Sequence, residues 1–372
     1  MKARSLILIA LAALLASLAA VWVASLRAPE AVSASPGPLA PGLSEVLDSV
    51  SQVRLLAAGD ETLATLERGK GGWGLAEKHG YPVELDTLRN LLSAIASAQR
   101  VEAKTALAER YSQLGVEDVS APDARGVRID ITTPQRMFSV IVGDNPVRGA
   151  GTYVRIADQA QSWLVDKSIA IERKPANWLM KQIIDVGANR VRAVSITPVE
   201  GPAFGLTRSD GDPASDFTLQ GVPRGREVAP NYEREALAGL LSGLSFEDVF
   251  VASEQAAPEQ TQVALFSLDD GRRVQIDSWQ HEGRTYARFS LSLDEEVAAI
   301  WLARPVAQAA AAPDEAEATT STAVVTPPLT REQLDAQVAL FQRTHEGWVF
   351  QLPAFKASNL NKDLEDYLKP KG

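Results

Sequence analysis

The chain has 372 residues, 45% of them apolar, no cysteine and a net charge of −10. Without a thiol it forms no disulfide, thiolate metal site, cysteine nucleophile or lipid-modified cysteine. Setting aside Lys2, Arg4 and Arg27 takes the charge to −13; such a surface repels phosphate backbones and argues against nucleic acid as a partner.

Residues 5–26 carry no charge. A helix of that length spans roughly 33 Å, just over the hydrocarbon thickness of a bilayer. Lys2 and Arg4 precede it, and only Arg27 follows closely. The lysine and arginine bias keeps the N-terminus inside and exports the rest. Residues 1–27 are therefore expected to be a membrane anchor. The competing reading is a cleaved signal peptide, with candidate cleavage sites near Ala24 and Ala34. Against it, the apolar core is longer than a signal peptide needs.

Residues 28–44 hold Pro29, Pro36, Pro38 and Pro41 among small side chains, the composition of a semi-rigid tether. After it the pattern repeats. Leu88, Leu91, Leu92 and Ile95 have the 0, 3, 4, 7 spacing of a buried helical face, and so do Leu237, Leu240, Leu241 and Leu244, 149 residues later.

Strand-like runs at 53–57, 62–67 and 73–76 precede the first helix, and runs at 191–197, 204–208 and 217–219 precede the second. Strands follow each helix. Val127, Ile129, Phe138, Val140 and Tyr153 align with Val263, Leu265, Val274, Ile276 and Phe289 at an offset of 136. Their alternation predicts sheets with one buried face. Asp270-Gly271 reads as a tight hairpin.

Trp163-Leu164-Val165 aligns with Trp348-Val349-Phe350 at an offset of 185, and Leu179 and Ile183 with Leu364 and Leu368 in a closing helix. The first half has extra residues at about 107–123. The second has a helix near 331–342 and a low-complexity run at about 305–328, too poor in core formers to order itself. The expected fold is α+β: an N-terminal transmembrane helix, then two tandem, duplicated units of antiparallel sheet packed with helices, residues 45–187 and 188–370.

Candidate chemistry is sparse. Gly69, Gly71 and Gly74 match G-x-G-x-x-G but lie between two strands, where a hairpin explains them better than a dinucleotide loop. Asp210, Asp212 and Asp216 lack the order of a calcium loop. His79, His281 and His345 are far apart in sequence, with polar flanks that predict surface positions. Trp73, Trp163 and Trp348 fit core packing better than a carbohydrate platform. No nucleophile elbow, Ser-x-x-Lys or phosphate loop occurs. No catalytic, cofactor-binding or metal residue is assigned, and no enzyme activity is expected.

Gly72-Trp73-Gly74-Leu75, Tyr81-Pro82-Val83, the leucine-rich helix and the ending Gly347-Trp348-Val349-Phe350-Gln351-Leu352-Pro353-Ala354-Phe355-Lys356 resemble the bacterial envelope family known as domain of unknown function 4340. The segment Tyr111-Ser112-Gln113-Leu114-Gly115 departs from its usual shorter turn. The resemblance implies a single-pass protein of the bacterial inner membrane with its C-terminal domain in the periplasm. It also implies an auxiliary, non-ATPase role beside transporters of the ATP-binding-cassette type related to gliding motility. The expected function is a membrane-anchored, periplasmic, non-catalytic accessory or scaffold protein. The alternative is a periplasmic module that binds envelope glycan or lipid in an inter-repeat groove.

Overall fold

A computed structural model describes residues 36–208, 215–303 and 330–370. The expected anchor, the run at 305–328, Asp210 and Asp212 lie outside the described residues. Among the described residues no helix is long and apolar enough to cross a membrane. The chain divides into two units, one ending at Met180 and the other beginning at Lys181. That is seven residues before the boundary expected at 187.

The first unit contains β1 (Gly37–Pro38), β2 (Gln52–Leu56), β3 (Thr62–Gly69), β4 (Gly72–Leu75), β5 (Tyr81–Pro82), α1 (Leu85–Ser97), β6 (Gln99–Ala103), β7 (Val127–Thr132), β8 (Met137–Val142), β9 (Thr152–Ile156) and β10 (Ser162–Val165). The strands form one antiparallel sheet in the order β1-β6-β10-β9-β8-β7-β2-β3-β4-β5. Val53, Leu55, Ala64, Leu66, Ile129 and Ile131 are fully buried, as the period of two predicts. Leu88, Leu91, Leu92 and Ile95 of α1 are buried too, each burial contributing about 1.5–3 kcal/mol.

The expected tether is corrected from Pro36 onward. Gly37 pairs with Arg100, the Leu39 amide donates to the Ala98 carbonyl at 2.8 Å, and Arg136 donates to the Pro41 carbonyl. Leu39 and Leu43 are fully buried. A proline-rich composition masked two core leucines, and this segment is the outer edge of the first sheet.

The second unit contains β11 (Gln182–Ile184), β12 (Val191–Thr197), β13 (Phe204–Arg208), β14 (Phe217–Gln220), α2 (Tyr232–Ala238), β15 (Leu244–Ser245), β16 (Asp248–Val251), β17 (Gln262–Leu268), β18 (Arg272–His281), β19 (Arg284–Leu293), α3 (Glu295–Leu302), α4 (Arg331–His345), β20 (Trp348–Gln351) and α5 (Ala354–Leu360). Its main sheet runs β14-β13-β12-β17-β18-β19-β20-β16, and β11 pairs with β15 separately. Leu237, Leu240, Leu241 and Leu244 are buried as expected, but not on one helix. α2 passes into a 3-10 turn, Gly239–Leu241. Gly243 has φ +54°, and its amide donates to the Asp185 carboxylate at 2.7 Å, so Leu244 starts a strand. α4 opens on a capping box in which Thr330 and Gln333 satisfy each other's amides.

The second unit's order is also that of β4-β3-β2-β7-β8-β9-β10-β6 in the first. The ladders correct the residue matches. Ile129 pairs with Val140 and Ala264 with Ile276, so β7 and β17 correspond at 135, not 136. Val263 and Leu265 are therefore half-buried on the opposite face, while Ala264 and Phe266 enter the core; a slip of one residue reverses a strand's faces. Val140 pairs with Ile156 and Ile276 with Phe289, an offset of 133. Tyr153 thus corresponds to Tyr286, and Thr152-Tyr153-Val154-Arg155-Ile156 lies where the other unit has Thr285-Tyr286-Ala287-Arg288-Phe289. Between the matched rungs, Val140 to Ile156 and Ile276 to Phe289, the first unit has three more residues than the second.

Trp163 pairs with Val154 and Phe350 with Ala287, so Trp163 takes the place of Phe350 rather than Trp348. The closing elements are 3-10 turns, Pro175–Trp178 and Leu364–Tyr367. Each clasps the strand-like entry to its unit's main helix. Leu179 bridges to Val83 and Leu368 to Val228. Glu84 donates to the Trp178 carbonyl at 2.7 Å, and Ala229 to the Tyr367 carbonyl at 2.9 Å. Ile183, expected in the first closing helix, lies on β11 in the second unit.

Candidate functional site

The glycine motif builds a turn. Gly69 pairs with Gly72 across the β3–β4 hairpin. A Cβ on Gly74 would come within 2.5 Å of the Gly80 carbonyl oxygen, so glycine there permits close approach of two backbone segments. Asp216 is exposed and accepts from Asn231 at 2.9 Å. His79 and His281 are exposed. His345 is not, which corrects its surface assignment. It stacks on Phe341 with ring centroids 3.9 Å apart, and its Nδ1 lies 2.9 Å from the Phe341 carbonyl oxygen. Burial lowers its pKa. Its polar sequence neighbours gave no sign of this, because α4 turns the ring inward. Among the described residues no group of three or more histidines and carboxylates is placed to hold a metal ion.

Several charges that lose water hold loops and turns in place. At the Asp270-Gly271 hairpin, Asp270 is fully buried. Its carboxylate accepts from Arg190 at 2.9 Å and from Arg272 at 2.8 Å. Burial alone would raise its pKa, but the two guanidiniums hold it below the usual carboxylate value. Arg190 also reaches Asp269 at 2.8 Å and lies over the Trp301 ring. In the first unit Arg155 is 3% exposed. It donates to the carbonyls of Val116, Ala157 and Gln159, pairs with Asp118 and lies 4.5 Å from the Tyr111 ring centre. Lys356 donates to the carbonyls of Leu240 and Ser242 at 2.9 and 2.6 Å, with its pKa lowered by burial. These roles were missed in the sequence because each group also needs a remote partner: Arg190 for Asp270, Val116 for Arg155, and Leu240 and Ser242 for Lys356.

Of the three tryptophans, Trp163 is a core residue, while Trp73 and Trp348 are half-buried. Trp73 borders a cavity of about 560 Å³ between the β3–β4 hairpin and α1. Trp73, Leu47, Leu88 and Leu92 give it apolar walls, and the exposed side chains of Arg68, Arg89, Asp48 and Ser93 form its rim. The Arg68 guanidinium donates to the Asp48 carbonyl at 2.6 Å. At the matching rung of the second unit, Arg208 lies over the Phe217 ring at 4.3 Å and Phe217 is 2% exposed. Arg208 donates to the Ala188 carbonyl at 3.2 Å. The same arginine–aromatic pair is closed in one unit and borders a cavity in the other. Such a cavity can bind and orient a ligand.

The family described as Domain of unknown function (DUF4340) matches residues 73–264, which is 192 of the 372 residues. The match begins at Trp73 on β4, includes the leucine-rich helix and ends before the 347–356 segment. No curated protein and no solved structure matches the chain.

Proposed function

The chain belongs to the Domain of unknown function (DUF4340) family, and from that premise we propose that it is a non-catalytic accessory or scaffold protein. In this reading residues 5–26 anchor it in the bacterial inner membrane and the remainder faces the periplasm. There it serves subunits of an ATP-binding-cassette transport system of the gliding-motility type. The carrying observation is how buried charge is used. The buried Arg155 and Asp270 and the half-buried Lys356 each fasten a loop or turn to a sheet or helix, so costly desolvation goes into shape. We further propose that the two units are copies of one module. The shared strand order and the paired closing clasps support this.

Anchoring confines the domain near its membrane partner, so modest affinity suffices through effective concentration. The test is cross-linking of the intact chain in its own membranes. Recovery of transporter subunits is the expected result. Full complementation at native abundance by a form lacking residues 1–27 and exported on a cleavable signal would overturn the anchored role. A second reading, a module that binds envelope glycan or lipid, is favoured by one observation, the cavity at Trp73.

A further inference from the structure

We propose that the cavity between Trp73 and α1 binds an acyl chain with an anionic head, drawn from membrane lipid. This site rests on the second, ligand-binding reading, narrows it to lipid, and does not depend on the accessory role. Three observations carry it.

The walls are the first. Leu88 and Leu92 are buried core side chains that line the cavity, Trp73 and Leu47 flank it half-buried, and Leu85 at its mouth is 39% exposed. Leucine walls offer no hydrogen bonds to the hydroxyls of a sugar, whereas an aliphatic chain gains from every methylene removed from water.

Rim charge is the second. The chain carries −10 overall, yet Arg68 and Arg89 both line this cavity, against one carboxylate, Asp48. Arg89 pairs with Asp86 at 3.2 Å, but the two side chains are 71% and 81% exposed, so water already competes for that pair. Arg68 is directed to a neutral carbonyl, that of Asp48. An incoming carboxylate or phosphate would give Arg68 a charged acceptor and would compete with the solvated Asp86 for Arg89.

The comparison between units is the third. The matching aromatic in the second unit, Phe217, lies beneath Arg208 and is buried. The cavity is therefore a property of the first unit's sequence and not of the shared strand order.

The test uses the intact chain in its native membranes and a hexadecanoic acid carrying a photoactivatable diazirine. After irradiation, adducts are mapped by peptide mass spectrometry. They should fall between residues 68 and 93, and not on the corresponding stretch of the second unit, residues 208–242. Ser93→Trp should fill the cavity and abolish capture. Arg89→Glu, at a solvated position, should weaken capture about tenfold, the scale of one charge-assisted hydrogen bond. Circular dichroism of both variants establishes that they fold. Equal adducts in both units, or capture unchanged in both variants, would overturn the proposal. So would displacement of the probe by a soluble N-acetylated disaccharide but not by unlabelled hexadecanoate.

Discussion

Arg155 and Arg288 stand on matching rungs of the two sheets, in the runs Thr-Tyr-Val-Arg-Ile and Thr-Tyr-Ala-Arg-Phe. Arg155 is 3% exposed and holds three carbonyls and a carboxylate. Arg288 is exposed and lies 5.8 Å from the Trp279 ring centre. The difference comes from what covers each strand. The segment between β6 and β7 in the first unit, which holds the extra residues at about 107–123, brings Tyr111, Leu114 and Val116 over Ile141 and Tyr153, and Arg155 is enclosed with them. The second unit places Phe250 and Ala257 against Trp279, Tyr286 and Val349 instead. The same residue in the same strand thus either fastens an inserted segment or meets water.

The sharpest way to break this comparison is to remove both arginines in turn. Arg155→Ala leaves the buried Val116 carbonyl without its donor and empties the space beside Tyr111, while Asp118, 66% exposed, stays solvated; the loss should be about 2–4 kcal/mol. Arg288→Ala should stay within about 0.5 kcal/mol, as a solvated surface change does. Hydrogen exchange over residues 107–124 and over 252–261, beside thermal unfolding, separates the two; equal losses would refute the distinction.

The helical leucines probe where the units are alike. Leu92→Ala and Leu241→Ala should each cost about 2–5 kcal/mol through lost burial and a residual cavity. Leu92 is 8% exposed and Leu241 fully buried, so Leu241→Ala should lie at the upper end. Denaturant unfolding of each variant measures this, and a negligible effect in one unit would contradict matching cores.

Acidity should discriminate between the units as well. His345 has a pKa lowered by burial, so the unfolded chain binds its proton first. The stabilisation from keeping it neutral is present above about pH 6.5, the ordinary histidine value, and is lost as pH falls through the lower folded value. One proton sets a slope of at most about 1.4 kcal/mol per pH unit. Amide exchange in α4 should rise between pH 7 and 5, while α1 in the first unit stays protected. His345→Phe should flatten the response, and an unchanged profile would remove His345 as its source.

The smallest effect belongs to the closed arginine–aromatic pair. Arg208→Ala uncovers Phe217 and should cost about 0.5–1 kcal/mol, the worth of a guanidinium over a ring. Arg68→Ala, whose arginine is exposed, should fall below that in a melting experiment. A larger loss from Arg68→Ala would mean that the cavity beside Trp73 is not open in the way described.

By itself the sequence determined what short-range periodicity can encode. The 0, 3, 4, 7 spacing located both sets of buried leucines, alternation located the strands, and Asp270-Gly271 marked a hairpin. The run from Trp73 through the first leucine helix lies within the matched family pattern. Tertiary structure alone decided the ladder registers, the burial of Leu39, Leu43 and His345, the charge network at Asp270 and the cavity at Trp73. The reason is physical. Periodicity is a property of neighbouring residues, whereas a strand's register changes face with a single-residue shift and is set by partners far along the chain. Burial of a charge likewise depends on which remote carbonyl or carboxylate meets it, and nothing in the local run around Arg155 distinguishes it from the run around Arg288.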